Sequence, residues 1–245
     1  MPFISSIEGK VAFGRGGTSV IPLAGSLFFN GGVNTTLICA SGVIISSGAY
    51  TIECWFYNSA NWTANRGLLG GSNENGKTGC MSLFFGTSTS ITTDKFGGGG
   101  QRTYTMASPI SLNAWHYFTL VRNASLVETI FIDGVKATRA EGGTSISGGQ
   151  QVNIIDYNGF SQDICKYYGG QWTGYITNMR IVVGTAVYDP TASTMNVPNK
   201  APLAVVNPPN TKYLMLGANV TTDSSFTQHT VTSNNVTQTS SIKPF

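Results

Sequence analysis

The chain has 245 residues, of which 41% are hydrophobic and only 10% are charged, and its net charge is +3. This length suits a single all-β domain. A charged share well below the about 25% of an average soluble domain predicts a surface made mostly of Ser, Thr, Asn and Gly. Lys and Arg form no cluster that could follow phosphates, and no segment approaches the ~20 apolar residues of a membrane helix. We therefore expect neither a nucleic-acid nor a membrane partner.

Residues 1–25 predict an extended N-terminal arm, because they carry five glycines and little periodic pattern. Such an arm is either a flexible tail or a segment that docks on a neighbouring subunit, and the sequence favours neither. The apolar residues that docking would bury are Phe3, Ile4, Ile7, Val11 and Phe13. The arm lacks the basic start and apolar run of a signal peptide, which predicts synthesis in a cytoplasm unless a signal has been removed.

From residue 26 onwards the sequence predicts short strands. Residues 26–29 and 35–40 flank a Gly31-Gly32 turn. Residues 50–57 alternate, so that Ile52, Cys54 and Phe56 should face the core. Further strands are predicted at 67–71, 80–86, 101–106, 115–121, 127–133, 135–140, 151–156, 172–183, 213–217 and 229–234.

Two other features complete the predicted architecture. Residues 189–210 hold five of the nine prolines, which predicts an irregular crossing segment. An Asp133-Gly134 pair between two predicted strands is typical of a two-residue hairpin turn. Many short strands with regular turns and no helical periodicity predict an antiparallel β-sandwich or barrel.

Five segments in a fixed order carry a resemblance to a known family: SLFFNG, YTIECWFY, NAWHYFTLVRN, FIDGVKA and GYITNMRIVVGTAVYDP. They resemble strands of the laminin-G-like, concanavalin A-like jelly roll found in bacteriophage virion proteins. The resemblance implies one jelly-roll domain over residues 26–245, with Trp115 as a core anchor between two sheets. The family's paired acids before the Arg are here Thr177-Asn178, which puts an acid-dependent calcium role of this strand in doubt.

Two motifs match nucleotide-binding patterns without the required context. Gly71–Thr78 fits the phosphate-binding loop, and residues 129–133 resemble the strand that ends in a magnesium-binding Asp. The loop needs a helix that begins at its Lys-Thr, whereas residues 79–85 predict a strand. We therefore expect no nucleotide and no cofactor.

The residues that perform hydrolysis are scarce. Glycoside hydrolysis needs two carboxylates facing one cleft, but the closest acidic pair, Glu128 and Asp133, is five positions apart and should face opposite sides of a strand. His116 and His229 are distant in sequence, and His116 is expected to make a strand-face hydrogen bond. No G-x-S-x-G motif occurs. We therefore predict no catalytic residues and no enzymatic activity.

The four cysteines, Cys39, Cys54, Cys80 and Cys165, are widely spaced and are expected to be free thiols. Cys54 should act as a small core residue. Asp156 and Asp163 flank one loop and are weak candidates for binding calcium.

Aromatic residues in Gly- and Asn-rich segments are the remaining candidates for ligand contact. They either bind a sugar or partner, or cover sheet edges and subunit contacts, and the second role is favoured. These residues are Trp62, Tyr104, Tyr157, Phe160, Tyr167, Tyr168 and Trp172.

The sequence thus leads to two functional hypotheses. The first, which rests on the resemblance, is a non-enzymatic virion structural protein on a phage capsid or tail surface, made in the host cytoplasm and contacting other virion proteins and copies of itself. The alternative is an adhesion module that binds a host-surface glycan.

Overall fold

The computed structural model describes residues 25–32, 35–39, 48–62, 65–71, 81–95, 102–139, 162–164, 166–167, 170–198, 208–215, 217, 219–225 and 228–244. Residues 1–24 of the predicted arm and the predicted strand at 151–156 lie outside these ranges.

The described residues form eighteen strands and one short 3-10 helix at Pro208–Asn210. The strands are β1 (Ser26–Asn30), β2 (Thr36–Cys39), β3 (Tyr50–Asn58), β4 (Arg66–Gly71), β5 (Met81–Thr87), β6 (Ser90–Lys95), β7 (Arg102–Thr105), β8 (Trp115–Arg122), β9 (Glu128–Ile132), β10 (Val135–Lys136), β11 (Thr138–Arg139), β12 (Gln162–Ile164), β13 (Lys166–Tyr167), β14 (Gly170–Gln171), β15 (Thr173–Val183), β16 (Thr211–Met215), β17 (Val231–Asn234) and β18 (Thr237–Thr239). No described helix is long and apolar enough to cross a membrane.

Two sheets of eight strands each form the sandwich within the described part of the chain. The first sheet has the order β10-β9-β8-β3-β15-β1-β18, and β16 also pairs with β15. The second sheet has the order β11-β7-β6-β5-β4-β12-β2-β17, and β13 and β14 form a separate small ribbon. The pairings between these strands are antiparallel. The predicted all-β, jelly-roll class is confirmed.

The core lies between the two sheets. The predicted alternation of β3 is confirmed, because Ile52, Cys54 and Phe56 are fully buried members of this core. The largest fully buried side chain is Trp172, whose ring meets those of Phe56 and Phe85, each with its centroid 5.7 Å away. Aromatic packing of this kind dominates the energetics of a core.

Trp115 is not the core anchor that the resemblance implied. Its partner across the sheet is Tyr57, whereas the core residue Cys54 lies opposite Phe118. Phe118 and Leu120 point inward and fix the alternation of β8, so Trp115 faces outward and is only half-buried. The size of the tryptophan suggested burial, but the phase of the strand decides its direction.

Two other sequence-based assignments need correction. The segments around Gly31-Gly32 do not form a hairpin, since β1 pairs with β15 and β18 while β2 pairs with β12 and β17 in the other sheet. The connection therefore carries the chain across the sandwich. Strand β6 was not predicted from sequence, because its six residues SITTDK include a single large apolar side chain, Ile91.

Residues 184–198 cross the outer face of the first sheet. The backbone N–H of Val187 donates to Thr51 Oγ1 at 2.9 Å, and Thr129 Oγ1 donates to the carbonyl of Pro190 at 2.8 Å. Beyond them the N–H of Met195 donates to the carbonyl of Gly134 at 2.8 Å. This cover explains why polar outward-facing residues of the sheet, such as Thr51 and Glu53, are buried.

An ion pair lies on the same outer face. Arg180 on β15 donates to the Glu53 carboxylate on β3 through Nε and a terminal nitrogen. The exposures of the two side chains are 4% and 1%. Burial lowers and Glu53 raises the pKa of Arg180, and the net direction is upward. The guanidinium therefore stays charged beneath the crossing segment.

Candidate functional site

Four aromatic side chains of neighbouring strands lie in one line across the outer face of the first sheet. Phe28 is opposite Tyr175, Tyr175 is opposite Tyr57, and Tyr57 is opposite Trp115. Directly opposite residues project to the same side of a sheet, and the successive ring centroids are 5.0, 5.5 and 5.7 Å apart. We call these four residues the aromatic row.

The aromatic row is half-buried, so each ring presents part of its surface to solvent. The hydrogen bonds of the crossing segment described above reach the same sheet elsewhere, at Thr51, Thr129 and the β9–β10 turn. The next outward pair along the strands, Trp55 and Tyr117, has centroids 5.1 Å apart, and the Tyr117 hydroxyl meets that of Tyr188 at 3.4 Å. The cover therefore reaches Tyr117, and the row lies beyond it.

Polar side chains border the aromatic row. Thr237 on β18 is opposite Phe28 and continues the line at one end. Asn30 is opposite Thr173 two positions along the same strands, and Ser59 Oγ donates to the Thr173 carbonyl at 3.3 Å. These side chains carry hydroxyl and amide groups but no charge. The surface thus combines apolar rings with neutral hydrogen-bonding groups, as small-ligand sites do.

A second constellation lies at the edge of the sandwich. His116 Nδ1 is 2.6 Å from Asp133 Oδ2, and His116 Nε2 is 2.9 Å from Ser111 Oγ. The backbone N–H of Tyr117 donates to Asp133 Oδ1 at 2.7 Å. The predicted strand-face hydrogen bond of His116 is confirmed. The sequence did not predict that Ser111 lies beside His116. The proximity of Asp133 to His116 could have been predicted from the Asp133-Gly134 turn and the β8–β9 pairing.

A cavity of about 160 Å³ adjoins this constellation. The loop after β7 forms one wall, and the β9–β10 hairpin forms the other. Its lining residues are Met106, Ala107, Ser108, Pro109, Ile110, His116, Ile132, Asp133, Val135 and Lys136.

The closest acidic pair in the sequence does not form a hydrolytic site. Glu128 begins β9 and Asp133 directly follows it, so the two acids lie at opposite ends of the strand. Glu128 accepts hydrogen bonds from the Tyr50 hydroxyl at 2.5 Å, the Tyr104 hydroxyl at 2.8 Å and Arg102 at 2.8 Å. Desolvation, followed by the charge of Glu128, raises the pKa of Tyr50 and of Tyr104. Glu128 therefore links the sheets.

Of the aromatic residues proposed from sequence for ligand contact, the structure brings together Trp62 and Trp172, whose ring centroids are 6.4 Å apart. Trp172 and Tyr104 are buried, at 0% and 1% exposure, which agrees with the favoured structural role of these two rings rather than with ligand contact. Trp62 is half-buried and donates from Nε1 to the carbonyl of Ile110 at 3.2 Å. Only the backbone of Tyr167 is described, in β13. The remaining three, Tyr157, Phe160 and Tyr168, lie outside the described residues.

The signal that could have revealed the aromatic row was the outward phase of the predicted strands. Tyr57 alternates with the core residue Phe56, and Phe28 lies between the core residues Leu27 and Phe29. Aromatic residues in loops are the usual candidates for ligand contact, so the outward-facing aromatic residues of strands were not among the predicted contacts.

The calcium and thiol candidates lie largely outside the described residues. Asp156 is not described, and Asp163 is described only as part of the β12 backbone. Among the described residues, no group of three or more His, Cys, Asp or Glu side chains could hold a metal ion. Cys54 is a buried free thiol. Cys80, Cys165 and the side chain of Cys39 lie outside the described part.

Most of the phosphate-loop motif also lies outside the described residues, which resume at Met81. From there the chain forms β5, which agrees with the predicted strand. Asp133 and Gly134 have φ angles of 50° and 78° and form the predicted turn.

The structure therefore defines a β-sandwich with an aromatic surface on one sheet. A laminin-G family model, described as the concanavalin A-like lectin/glucanases superfamily, matches residues 30–185. The chain belongs to this family. No curated protein matches the chain significantly.

Solved structures share the fold at low sequence identity. A protein from Bacteroides ovatus whose description proposes carbohydrate binding is 15% identical, with a TM-score of 0.55, and the match covers 89% of this chain and 61% of that one. Domains LG4-5 of the mouse laminin alpha1 chain are 17% identical, with a TM-score of 0.45, over 71% of this chain and 46% of that one. A heptameric pentraxin from Limulus polyphemus is 10% identical, with a TM-score of 0.48, over 69% and 80%. The chain thus spans about half of the laminin fragment.

Proposed function

We propose that the chain is a glycan-binding module that holds a neutral oligosaccharide against the aromatic row. The observation that carries this proposal is the line of four half-exposed rings across neighbouring strands, bordered by hydroxyl and amide side chains. The apolar face of a sugar ring packs on an aromatic face, while its hydroxyls exchange hydrogen bonds with neutral polar groups.

The length of the row indicates the size of the ligand. Neighbouring strands lie about 4.8 Å apart. The row crosses four neighbouring strands, so it is longer than a single sugar ring. A ligand that contacts Phe28 and Trp115 together must therefore have more than one sugar unit. The neutral border favours an uncharged ligand over a phosphorylated or sulphated one.

Membership of a superfamily of lectins and glucanases supports this function. The fold similarity to the Bacteroides ovatus protein agrees with it. Binding is favoured over glycoside cleavage because Glu128 is already held by Tyr50, Tyr104 and Arg102, and because Asp133 lies at the other end of β9.

The test is a screen of the full chain on a printed array of neutral and acidic oligosaccharides, followed by calorimetric titration of a selected soluble oligosaccharide. Tyr175→Ala and Trp115→Ala should each weaken binding by about 1 kcal/mol, roughly fivefold, since each removes one ring contact. Val127→Ala is the matched control, because it removes an exposed apolar side chain outside the row. Equal affinity of the three variants and the unchanged chain would contradict the proposal.

Residence on the surface of a phage particle is a second proposal. Its support is the sequence resemblance, the low share of charged residues and the apolar side chains within residues 1–20. Removal of residues 1–20 should leave the sandwich folded and abolish incorporation into particles. Normal incorporation of the shortened chain would contradict attachment by the arm.

A further inference from the structure

The edge constellation has the geometry of an activated hydroxyl. A carboxylate only accepts hydrogen bonds, so His116 Nδ1 carries a proton and donates a hydrogen bond to Asp133 Oδ2 over 2.6 Å, which leaves Nε2 as the acceptor whenever the ring carries a single proton. His116 Nε2 then accepts from Ser111 Oγ at 2.9 Å. Nucleophilic catalysis requires a hydroxyl that is hydrogen-bonded to a histidine, and a third group that orients the histidine.

The fold holds this arrangement in place. Asp133 opens the two-residue turn with φ 50°, and its Oδ1 accepts the N–H of Tyr117, so the carboxylate is fixed relative to β8. The His116 ring lies 5.6 Å from that of Phe56, which belongs to the core. The His116 side chain is 13% exposed, and the hydrogen bond that joins it to Ser111 lies at the surface. The base is therefore shielded, and its partner hydroxyl can be reached from solvent.

The neighbouring cavity suits a small acyl group. Its volume of about 160 Å³ is below the 300–1,000 Å³ of sites for drug-sized ligands. His116 lines it, and Ser111 follows the lining residue Ile110 in the chain. Apolar side chains of Met106, Ile132 and Val135 contribute to its walls.

From these observations we infer that Ser111 is a nucleophile toward short-chain carboxylic esters, with His116 as its general base and Asp133 as a positioning residue. Ser111 Oγ bonds to the acyl carbon while its proton passes to His116 Nε2. The ester C–O bond breaks, and the alcohol leaves with that proton. The oxygen of a water molecule then bonds to the acyl carbon while His116 Nε2 takes a proton from that water. The bond between the acyl carbon and Ser111 Oγ breaks, Oγ takes the proton back from His116, and the carboxylic acid leaves.

This activity would be separate from glycan binding, because Trp115 and His116 point to opposite faces of β8. The inference does not depend on the aromatic row, and each can fail without the other.

The test is reaction of the folded full chain with a fluorophosphonate probe, located by peptide mass spectrometry. We expect one label, on Ser111, which excess p-nitrophenyl acetate slows. Ser111→Ala should abolish labelling, while Ser125→Ala, at an exposed serine of the β8–β9 loop that does not line the cavity, should leave it unchanged. His116→Gln should slow labelling by about 100-fold or more, the usual contribution of a general base. Asp133→Asn should also slow it.

Wild-type protein unfolded in urea is a control that does not depend on any variant folding, and it should lose the label. Absence of labelling on folded wild type, or equal labelling of Ser111 in folded and unfolded chain, would overturn the inference. So would an undiminished rate in a folded His116→Gln variant. In each case the three side chains would be a structural hydrogen-bond network only.

Discussion

The two tryptophans Trp115 and Trp172 differ in burial. Trp172 is fully buried beside Phe56 and Phe85, whereas Trp115 is half-buried on the outer face. Trp172→Ala should lower the free energy of unfolding by about 3–5 kcal/mol, because it leaves a large cavity. Trp115→Ala should cost about 1 kcal/mol, as is typical of a partly exposed site. Urea denaturation of both variants measures this difference, and the reverse order would contradict the assigned phase of β8.

The Glu53–Arg180 pair makes a second prediction about single residues. Arg180→Met should destabilise the chain by about 3–5 kcal/mol, since it leaves the buried Glu53 carboxylate without its cation. The double variant Glu53→Leu/Arg180→Met should recover most of this loss, because well-packed apolar residues can replace a buried pair. Urea midpoints of the single and double variants provide the measurement. A double variant less stable than Arg180→Met would contradict the explanation.

The β9–β10 turn and the crossing segment are in close contact and constrain each other. Gly134 has a φ of +78°, and a Cβ there would clash with the carbonyl oxygen of Met195. Gly184 has a similar φ of +87°, but a Cβ there would be 3.7 Å from its nearest neighbour, Asn210. Both Ala variants carry left-handed strain of about 1–2 kcal/mol, and Gly134→Ala adds overpacking of about 1–3 kcal/mol. Equal thermal stability of the two variants would show that the crossing segment does not constrain the turn.

Local patterns predicted the strands well and the long-range arrangement poorly. The alternation of residues 50–57 and the Asp133-Gly134 turn depend on neighbours in sequence, and both were predicted. The separation of β1 and β2 into different sheets depends on partners more than a hundred residues away, such as β15 and β12. The aromatic row depends on the register of four strands together, which no local pattern specifies.

Glu128 joins the two sheets, and the buried tyrosines that donate to it should make the protein less stable at alkaline pH. It lies on β9 of the first sheet and accepts from Arg102 and Tyr104 on β7 of the second. Desolvation raises the pKa of Tyr50 and Tyr104 above the ordinary tyrosine value of 10.0. Above that pH the unfolded chain releases protons that the folded chain keeps, so stability is full below it and falls as the pH rises.

Unfolding midpoints in urea between about pH 8 and 11, a range that spans the ordinary tyrosine pKa, should therefore decrease at the alkaline end of the series. Tyrosinate absorbance should rise fully only when the fold is lost. Full ionisation of all tyrosines with the fold intact would contradict the burial of these hydroxyls.

For the whole molecule, the two faces of the first sheet have separate roles. The inner face forms the core with the second sheet, and the outer face is divided between the crossing segment and the aromatic row. A half-exposed line of aromatic rings adds less to stability than the core does. The proposed function gives this line of rings a role in ligand contact.

The measurement that tests this claim most directly is a crystal structure of the full chain with an oligosaccharide selected on the array. The proposal predicts sugar rings packed on Tyr57, Tyr175 and Trp115, with hydroxyls bonded to the side chains that border the row. An oligosaccharide bound elsewhere, with the aromatic row free of contact to sugar, would contradict it.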